Sequence, residues 1–294
     1  MKILITGNSG FIGNHLTNYL ADQGHSVTGC DLNTGDLKDT HYVDSLPDVE
    51  LVYHLAMVNN TTAFYTSPYT ILENSTQTLH NILKRYKGIP TVYTSSSETY
   101  AGGVSKGIVE MPTKEDVPLC IDDIQNPRWS YASGKIVGEA MMVAANIEFD
   151  TPYQIIRYHN VYGPGQKNHF IPEFIDRCLQ GKYELYGYNS TRSFCYVSDA
   201  VKATQLVAEH GTWNNIYHVG SDNEYTIKDV ADLILNKLSI NEDIVLHNDP
   251  PGSVKRRCPD ISKIIDIGYN ASVDLSSGID KILEKDYGIK NKPK

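Results

Sequence analysis

A tyrosine and a lysine stand four residues apart in the segment Tyr131-Ala-Ser-Gly-Lys135. At this spacing the two side chains lie on one face of a helix, one turn apart. An isolated tyrosine has a pKa near 10, so a base that works near neutrality needs a shift of about 3 units, or about 4 kcal/mol. A neighbouring ammonium group supplies part of that stabilisation. The pattern predicts that Tyr131 is a general base assisted by Lys135.

Three serines and a glutamate end the apolar run that starts at Thr91. Ser95, Ser96 and Ser97 each offer a hydroxyl to an oxygen held beside the tyrosine, and spacing alone does not choose among them. Glu98 adds a carboxylate that could remove a proton next to a carbonyl group. The structural alternatives are a serine-rich strand end that satisfies its own backbone and a solvated glutamate.

A glycine-rich turn follows the first apolar run in the segment Gly7-Asn-Ser-Gly10-Phe-Ile-Gly13. Gly7 permits a tight turn, Gly10 lets the backbone approach a pyrophosphate, and Gly13 allows close packing of helix on strand. The amides at the positive end of the helix then bind the pyrophosphate. Asp31 follows 18 residues after Gly13, where a carboxylate accepts ribose hydroxyls and repels a 2′-phosphate. The segment predicts an NAD site rather than an NADP site, and the positive nicotinamide would also stabilise a phenolate at Tyr131.

Short apolar runs alternate with helical patterns through the first two-thirds of the chain, as parallel strands buried on both faces require. Two segments, around residues 70–86 and 131–147, carry wide apolar stripes at helical spacing. This alternation predicts an α/β fold, a doubly wound parallel (Rossmann) sheet with a smaller C-terminal substrate lobe. The predicted strands are Lys2–Thr6, Ser26–Cys30, Glu50–Ala56, Thr91–Ser95 and Tyr153–His159.

The glycine segment, together with His54-Leu-Ala-Met, resembles the extended short-chain dehydrogenase/reductases. These are the nucleotide-sugar epimerases, dehydratases and decarboxylases, and the resemblance covers nearly the whole chain. It implies NAD as cofactor and a nucleotide-diphosphate sugar as substrate. The cofactor contacts that it implies are Gly7, Asn8, Gly10, Phe11, Ile12, Gly13, Asp31, Asp36, Leu37, Leu55, Ala56, Asn74, Tyr131 and Lys135.

The sequence departs from the family pattern between Asp31 and the Asp36-Leu37 pair, which resembles the family's adenine contact. Asp31 and Asp36 are only five residues apart, so the helix and most of the strand that normally lie between them must be missing. The ribose contact is retained, whereas the shape of the adenine pocket must differ. Asn74 resembles the family's asparagine at the start of the following helix, and a plain helix cap is the alternative.

Aligned on Glu98, the resemblance assigns the catalytic hydroxyl to Ser96, beside Tyr131 and Lys135. It also implies that Asn160 binds the diphosphate or sugar. Arg192 and Arg257 resemble arginines that hold the diphosphate, or a sugar carboxylate in the decarboxylases. Guanidinium groups suit both anions because they donate in a bidentate fork.

Glu98 favours a 4,6-dehydratase or a UDP-glucuronate-type decarboxylase over a 4-epimerase, because simple epimerases usually carry a non-acidic residue at this position. In each reaction Tyr131 takes the proton of the 4-hydroxyl while the C4 hydride passes to NAD, and the hydride later returns. The 4-epimerase stays open as the alternative. A simple redox dehydrogenase and a non-catalytic NAD-binding regulator are more remote, the regulator because Ser96, Tyr131 and Lys135 are all present.

Residues 1–159 are predicted to form the NAD-binding domain, with 195–220 returning to it. Residues 160–194 and 221–294 are predicted to form the substrate lobe. The net charge of −9 argues against nucleic acid or an anionic membrane as partner. The five scattered cysteines predict neither a metal site nor a disulfide framework, which indicates the cytoplasm. The apolar stripes, with the family's helix pairing, predict a homodimer.

Overall fold

The computed structural model describes residues 1–249 and 253–290. Short 3₁₀ turns occupy Ser97–Tyr100 and Pro127–Trp129. The α-helices are α1 Phe11–Asp22, α2 Thr40–Ser45, α3 Thr61–Thr66, α4 Pro68–Arg85, α5 Ala101–Ser105, α6 Ser130–Phe149, α7 Phe170–Leu179, α8 Val197–His210, α9 Ile227–Lys237, α10 Ser262–Ile265 and α11 Leu275–Tyr287. The strands are β1 Lys2–Thr6, β2 Ser26–Cys30, β3 Leu51–His54, β4 Thr91–Ser96, β5 Tyr153–Tyr158, β6 Val161–Tyr162, β7 Glu184–Tyr186, β8 Thr191–Ser193, β9 Cys195–Tyr196, β10 Asn215–Val219, β11 Glu224–Thr226, β12 Val245–His247 and β13 Arg256–Arg257.

The main sheet has six parallel strands in the order β10-β5-β4-β3-β1-β2. Its central strands are apolar along their length because helices cover both faces; Ile3, Leu4 and Ile5 of β1 are all buried. The α/β doubly wound prediction is confirmed. All five predicted strands exist, and β10 joins the sheet beside β5.

Strand β3 ends two residues earlier than the apolar run predicts. After His54 the chain leaves the ladder, and the Thr6 hydroxyl accepts the backbone amides of Leu55 and Ala56, each at 3.2 Å. These two residues therefore line the carboxyl edge of the sheet instead of extending it, which is where ligands of open α/β sheets bind.

The shortened segment after β2 makes that strand the outer edge of the sheet. The amides of Thr34 and Gly35 both donate to the Asp31 carbonyl, at 2.8 and 3.0 Å, so the chain turns at once towards α2. The predicted loss of a helix and strand between Asp31 and Asp36 is confirmed by this direct turn.

The later part of the chain adds three small sheets, in the orders β11-β8-β13, β12-β7 and β6-β9. Their strands have only two or three residues, so they lack the apolar runs that identify the main strands. Together with α7, α9 and α11 they stand beside the carboxyl edge of the main sheet. Among the described helices none is long and apolar enough to cross a bilayer.

Candidate active site

A cleft of about 790 Å³ lies at the carboxyl edge of the main sheet. One side is formed by the glycine turn and the ends of β3 and β4. The other side is formed by the small sheets and the loop before α7. The predicted site residues that line it are Gly7, Gly10, Phe11, Ile12, Gly13, Leu55, Ser96, Glu98, Tyr131, Lys135, Asn160, Arg192 and Arg257.

The glycine turn leaves the first amides of α1 open to this cleft. Gly7 has φ +73°, and a Cβ there would lie 2.8 Å from the Ala56 amide nitrogen. A Cβ on Gly13 would lie 2.1 Å from the Gly7 carbonyl oxygen. Gly10 is the N-cap of α1 and has no capping side chain. The helix end therefore offers unpaired amides and its positive dipole to an anion, as a dinucleotide pyrophosphate requires.

Asp31 lies beside this turn at the end of β2. One carboxylate oxygen accepts the Ser9 amide at 3.0 Å, and the other accepts the Leu32 amide at 2.8 Å. These contacts hold the carboxylate next to the glycine turn, where it remains able to accept ribose hydroxyls.

Six of the proposed cofactor residues, Asp31 among them, do not line the cleft directly. Asn8 packs under Gly29, and Ala56 is held by Thr6. Asp36 accepts the Lys38 amide at 2.9 Å, and Leu37 is buried in the core beside Cys30 and Val43. Asn74 lies within α4.

Asn74 is not at a helix start, so the helix start and the helix cap expected there are wrong, whereas its contact with the cofactor stays a prediction. It is the seventh residue of α4, whose N-cap is Ser67. The helix begins earlier because Pro68 suits its first position. The buried Asn74 Oδ1 has no hydrogen-bond partner among the described residues.

Tyr131 and Ser96 meet within the cleft. Tyr131 lies in the first turn of α6 and is 8% exposed, while Ser96 ends β4. Burial raises the pKa of Tyr131 above its ordinary value, and the hydrogen bond with Ser96 opposes that rise. Ser95 instead donates to Glu139 at 2.5 Å, which leaves Ser96 as the hydroxyl on the phenol.

Lys135 lies one turn along α6 and is 4% exposed. Its Nζ donates to the Thr94 carbonyl at 2.5 Å and lies 5.8 Å from the centre of the Tyr131 ring. Burial lowers the pKa of Lys135 to about 7, with Glu139 acting in the opposite direction. The ammonium thus titrates near neutrality, close to the phenol that it would polarise.

Glu98 is surrounded by arginines. Its Oε1 accepts Arg257 at 2.5 Å and lies 3.6 Å from Arg128. Burial raises the pKa of Glu98, but Arg257, Arg128 and Arg192 outweigh burial and leave that pKa below its ordinary value. Glu98 is therefore a carboxylate at neutral pH.

Arg192 and Asn160 complete the far side of the cleft. Arg192 donates to the Thr191 carbonyl at 2.7 Å. Burial and the nearby Arg257 lower the pKa of Arg192 to about 9, while Glu98 and Asp249 act in the opposite direction. The buried Arg257 Nε has no partner among the described residues. Asn160 donates to the Ser193 carbonyl at 2.8 Å, so its amide group is fixed against β8.

Two polar residues of the cleft, Arg128 and Asp249, were missed by the sequence reasoning. Arg128 stands three residues before Tyr131, and this proximity was an available signal. Asp249 accepts the Ser190 hydroxyl at 2.7 Å and comes from a distant loop, so no spacing reveals it. Among the described residues the five cysteines are unpaired, and no cluster of His, Cys, Asp or Glu could hold a metal ion.

Comparison with known proteins identifies the family. The sequence profile of the NAD dependent epimerase/dehydratase family matches residues 3–220. The UDP-N-acetyl-alpha-D-glucosaminuronate decarboxylase of Bacillus cytotoxicus is 29% identical, over 96% of this chain and 97% of that protein. A putative UDP-glucose 4-epimerase of Methanocaldococcus jannaschii is 28% identical, over 96% and 97%.

A solved structure supports the same fold. The dTDP-glucose 4,6-dehydratase of Streptomyces venezuelae, solved with NAD bound, superposes with a TM-score of 0.87 at 23% identity, over 98% of this chain and 97% of that one. Since the family profile spans the glycine turn, β4 and α6, the chain belongs to the NAD-dependent epimerase/dehydratase family of extended short-chain dehydrogenase/reductases and is an NAD-dependent enzyme.

Proposed function

We propose that the enzyme decarboxylates a nucleotide-activated uronic acid after transient oxidation at C4. The observation that carries this proposal is the charge around Glu98. The guanidinium groups of Arg257, Arg128 and Arg192 all lower the pKa of the Glu98 carboxylate. This concentration of positive charge suits a substrate that brings both a diphosphate and a sugar carboxylate.

The first step is proton removal from the C4 hydroxyl by Tyr131. Because burial raises the pKa of this phenol, it needs the hydrogen bond from Ser96 and the charge of Lys135 to act as a base. Ser96 also holds the oxygen at C4. NAD held on the glycine turn would supply the acceptor for the C4 hydride and the donor for its return.

The second step is loss of carbon dioxide from C5. The electrons of the C5–C6 bond move into the C4 carbonyl, whose oxygen Ser96 and the now protonated Tyr131 stabilise. Arg257 and Arg128 hold the substrate carboxylate beside Glu98. Carbon dioxide leaves as a neutral molecule, and C5 then takes up a proton from solvent water.

Dehydration is less well supported by the same residues. Eliminating a C6 hydroxyl needs a protonated acid beside it. The described carboxyl groups of the cleft belong to Glu98 and Asp249. The pKa of Glu98 is lowered by its arginines, and its neighbour Ser97 is not acidic. Decarboxylation needs no such acid.

A 4-epimerase is the second candidate, because Arg257 already engages Glu98 at 2.5 Å. In such an enzyme Glu98 would only orient the arginines, and no group would be needed at C5. The relative from Methanocaldococcus jannaschii carries that putative activity.

Matched nucleotide sugars distinguish these reactions. We expect the purified enzyme with NAD to convert a UDP-, dTDP-, GDP- or CDP-linked uronic acid into a product lighter by one carbon dioxide, measured by mass spectrometry. The matching hexose without a carboxylate is the control. Loss of water from that hexose would replace the proposal with a dehydratase. Interconversion of isomers at constant mass would replace it with an epimerase.

Glu98→Gln tests the role of the carboxylate itself. The amide keeps the shape but removes the charge that holds Arg257 and Arg128. We expect the first hydride transfer to persist, so that NADH absorbance and a 4-keto sugar build up while product formation falls more than about tenfold, or roughly 1.4 kcal/mol of barrier. Near-normal turnover without that accumulation would instead support the epimerase.

A further inference from the structure

A second glutamate lies on the catalytic face of α6 but outside the cleft. Glu139 follows Tyr131 by two helical turns and Lys135 by one, so all three lie on the same face. It is 4% exposed, and it is absent from the lining of the cleft. Since it cannot touch a ligand there, any effect on the reaction must pass through other residues.

Glu139 joins three elements of the main domain. Its Oε1 accepts the Ser95 hydroxyl at 2.5 Å and the Arg157 Nε at 2.9 Å, and its Oε2 accepts a terminal nitrogen of Arg157 at 2.8 Å. Ser95 of β4 and Arg157 of β5 are register partners in adjacent strands. One carboxylate therefore links α6 to both strands at the level of the catalytic residues.

The link that Glu139 makes between α6 and β4 affects the positions of Ser96 and Lys135. Lys135 donates to the carbonyl of Thr94, Glu139 holds the next residue, Ser95, and Ser96 follows directly. Two successive contacts thus fix the distance between α6 and the end of β4. A buried ion pair gives little net stability compared with well-packed apolar residues, so positional specificity is the role that suits it.

We propose that Glu139, through its ion pair with Arg157, is a positioning residue for Lys135 and Ser96 and sets the charge environment of the Lys135 ammonium. The proposal rests on the catalytic roles proposed for Tyr131, Ser96 and Lys135. The groups that face Glu139 are Lys135 on α6, Tyr93 on β4 and Arg157 on β5. Beyond them, Arg157 also donates to the Glu115 carbonyl at 2.8 Å.

Glu139→Gln tests this role, because the amide keeps the side-chain volume and loses the charge. Without the carboxylate, Arg157 is left as an uncompensated cation and protonated Lys135 is disfavoured. We expect the basic limb of kcat/KM against pH, where Lys135 loses its proton, to move to lower pH by about half a unit or more. The pH at which Lys135 becomes reactive towards acetic anhydride, followed by mass spectrometry, should move in the same direction.

The double variant Glu139→Gln/Arg157→Gln removes both charges of the ion pair. It should return the two pH midpoints, that of the basic limb of kcat/KM and that of Lys135 reactivity, towards those of the wild type. Thr204→Val removes a different buried hydrogen bond, the one with Tyr158, and should move neither midpoint. A Glu139→Gln enzyme with lower thermal stability but unchanged midpoints would overturn the proposal, since a merely structural role predicts that result.

Ser95→Ala provides an independent test if Glu139→Gln does not fold. It removes only the hydrogen bond between Ser95 of β4 and Glu139, and it leaves the ion pair of Glu139 with Arg157 intact. We expect kcat to fall about fivefold or more with little change in KM, because Ser96 is less well positioned. A kcat within about twofold of the wild type would overturn the positioning role. An active Tyr131→Phe enzyme would show instead that the proposed catalytic roles are wrong, and this result is distinct from a failure of the positioning role.

Discussion

The buried phenol of Tyr131 is protonated in the ligand-free enzyme, since burial raises its pKa and the Ser96 hydroxyl compensates only in part. We therefore expect catalysis to depend on positive charge brought near the ring. Lys135 supplies one such charge and titrates near pH 7. Small changes around these two side chains should alter activity more than they alter folding.

Tyr131→Phe should abolish turnover while NAD binding stays within about threefold of the wild type, because only the proton acceptor is removed. Turnover is measured by mass spectrometry of the nucleotide sugar and NAD binding by calorimetry. Retained turnover in this variant would contradict the catalytic scheme as a whole.

Lys135→Met should stabilise the NAD-free fold by about 2 to 4 kcal/mol below pH 7. Burial lowers the pKa of Lys135 to about 7, whereas an unfolded lysine titrates near pH 10.4. Between those values the unfolded chain binds more protons, so wild-type stability rises with pH and the advantage of the variant shrinks. Urea unfolding at about pH 6 and about pH 9 measures this, and an equal advantage at both pH values would contradict it.

At the residue scale, the sequence identified side chains whose spacing is itself the signal. Tyr131 and Lys135 share a helical face, and the glycines of the turn follow a strand, so local pattern was enough. Ser96 needed the family alignment, because three serines are adjacent. Asp249 was missed because tertiary folding alone brings it to the cleft, whereas Arg128 was missed although it stands three residues before Tyr131. Asn74 was expected at a helix start and lies inside α4, because Pro68 starts that helix earlier than expected.

At the element scale, the contact between α1 and the glycine turn sets the cofactor end of the cleft. A Cβ on Gly13 would lie 2.1 Å from the Gly7 carbonyl oxygen. Backbone atoms cannot yield as a flexible side chain does, so the helix would have to move away from β1. Such a shift would also displace the amides that face the cleft.

Gly13→Ala should therefore lower the free energy of unfolding by about 1 to 3 kcal/mol and weaken NAD binding at least about tenfold. Asn18→Ala, on the exposed side of the same helix, is the matched control and should leave NAD binding unchanged. Thermal unfolding and calorimetry provide the measurements. Full NAD affinity in Gly13→Ala would show that the helix end does not form the binding surface.

The main elements were predictable because each strand is a buried apolar run and each long helix an apolar stripe. The small sheets could not be predicted, since a strand of two or three residues is too short to show a repeating pattern of apolar residues. Their partners also come from distant segments, as β8 does when it pairs with β11 and β13. Such pairing is decided by tertiary contacts rather than by local sequence.

At the scale of the whole molecule, α6 keeps an apolar outer face. Val137, Val143 and Ile147 are 42%, 40% and 80% exposed, and Ala140 and Ala144 lie exposed between them. The stripe of α4 is different, because Ile71, Leu79 and Ile82 are buried within the protomer. An exposed face of this kind is typical of a subunit interface.

We expect a homodimer that pairs through this face of α6. Light scattering at micromolar concentration should give the dimer mass for the wild type and the monomer mass for Val143→Glu/Ile147→Glu. Ile124→Glu, at a residue 79% exposed elsewhere, is the control and should remain dimeric. A monomeric wild type would refute the predicted association.

Strand β2 lies at the edge of the main sheet. This position explains why the segment after β2 can be shorter than in the family pattern. A parallel sheet that loses its outermost strand and the adjoining helix breaks pairing on one side only. The ladders from β1 to β10 remain intact, and they include β4, which ends at Ser96 beside the α6 residues Tyr131 and Lys135. Shortening at this margin therefore leaves the chemistry untouched and changes only the surroundings of the adenosine. Families built on such sheets can accordingly diverge in length at the adenosine end while their reaction centres stay the same.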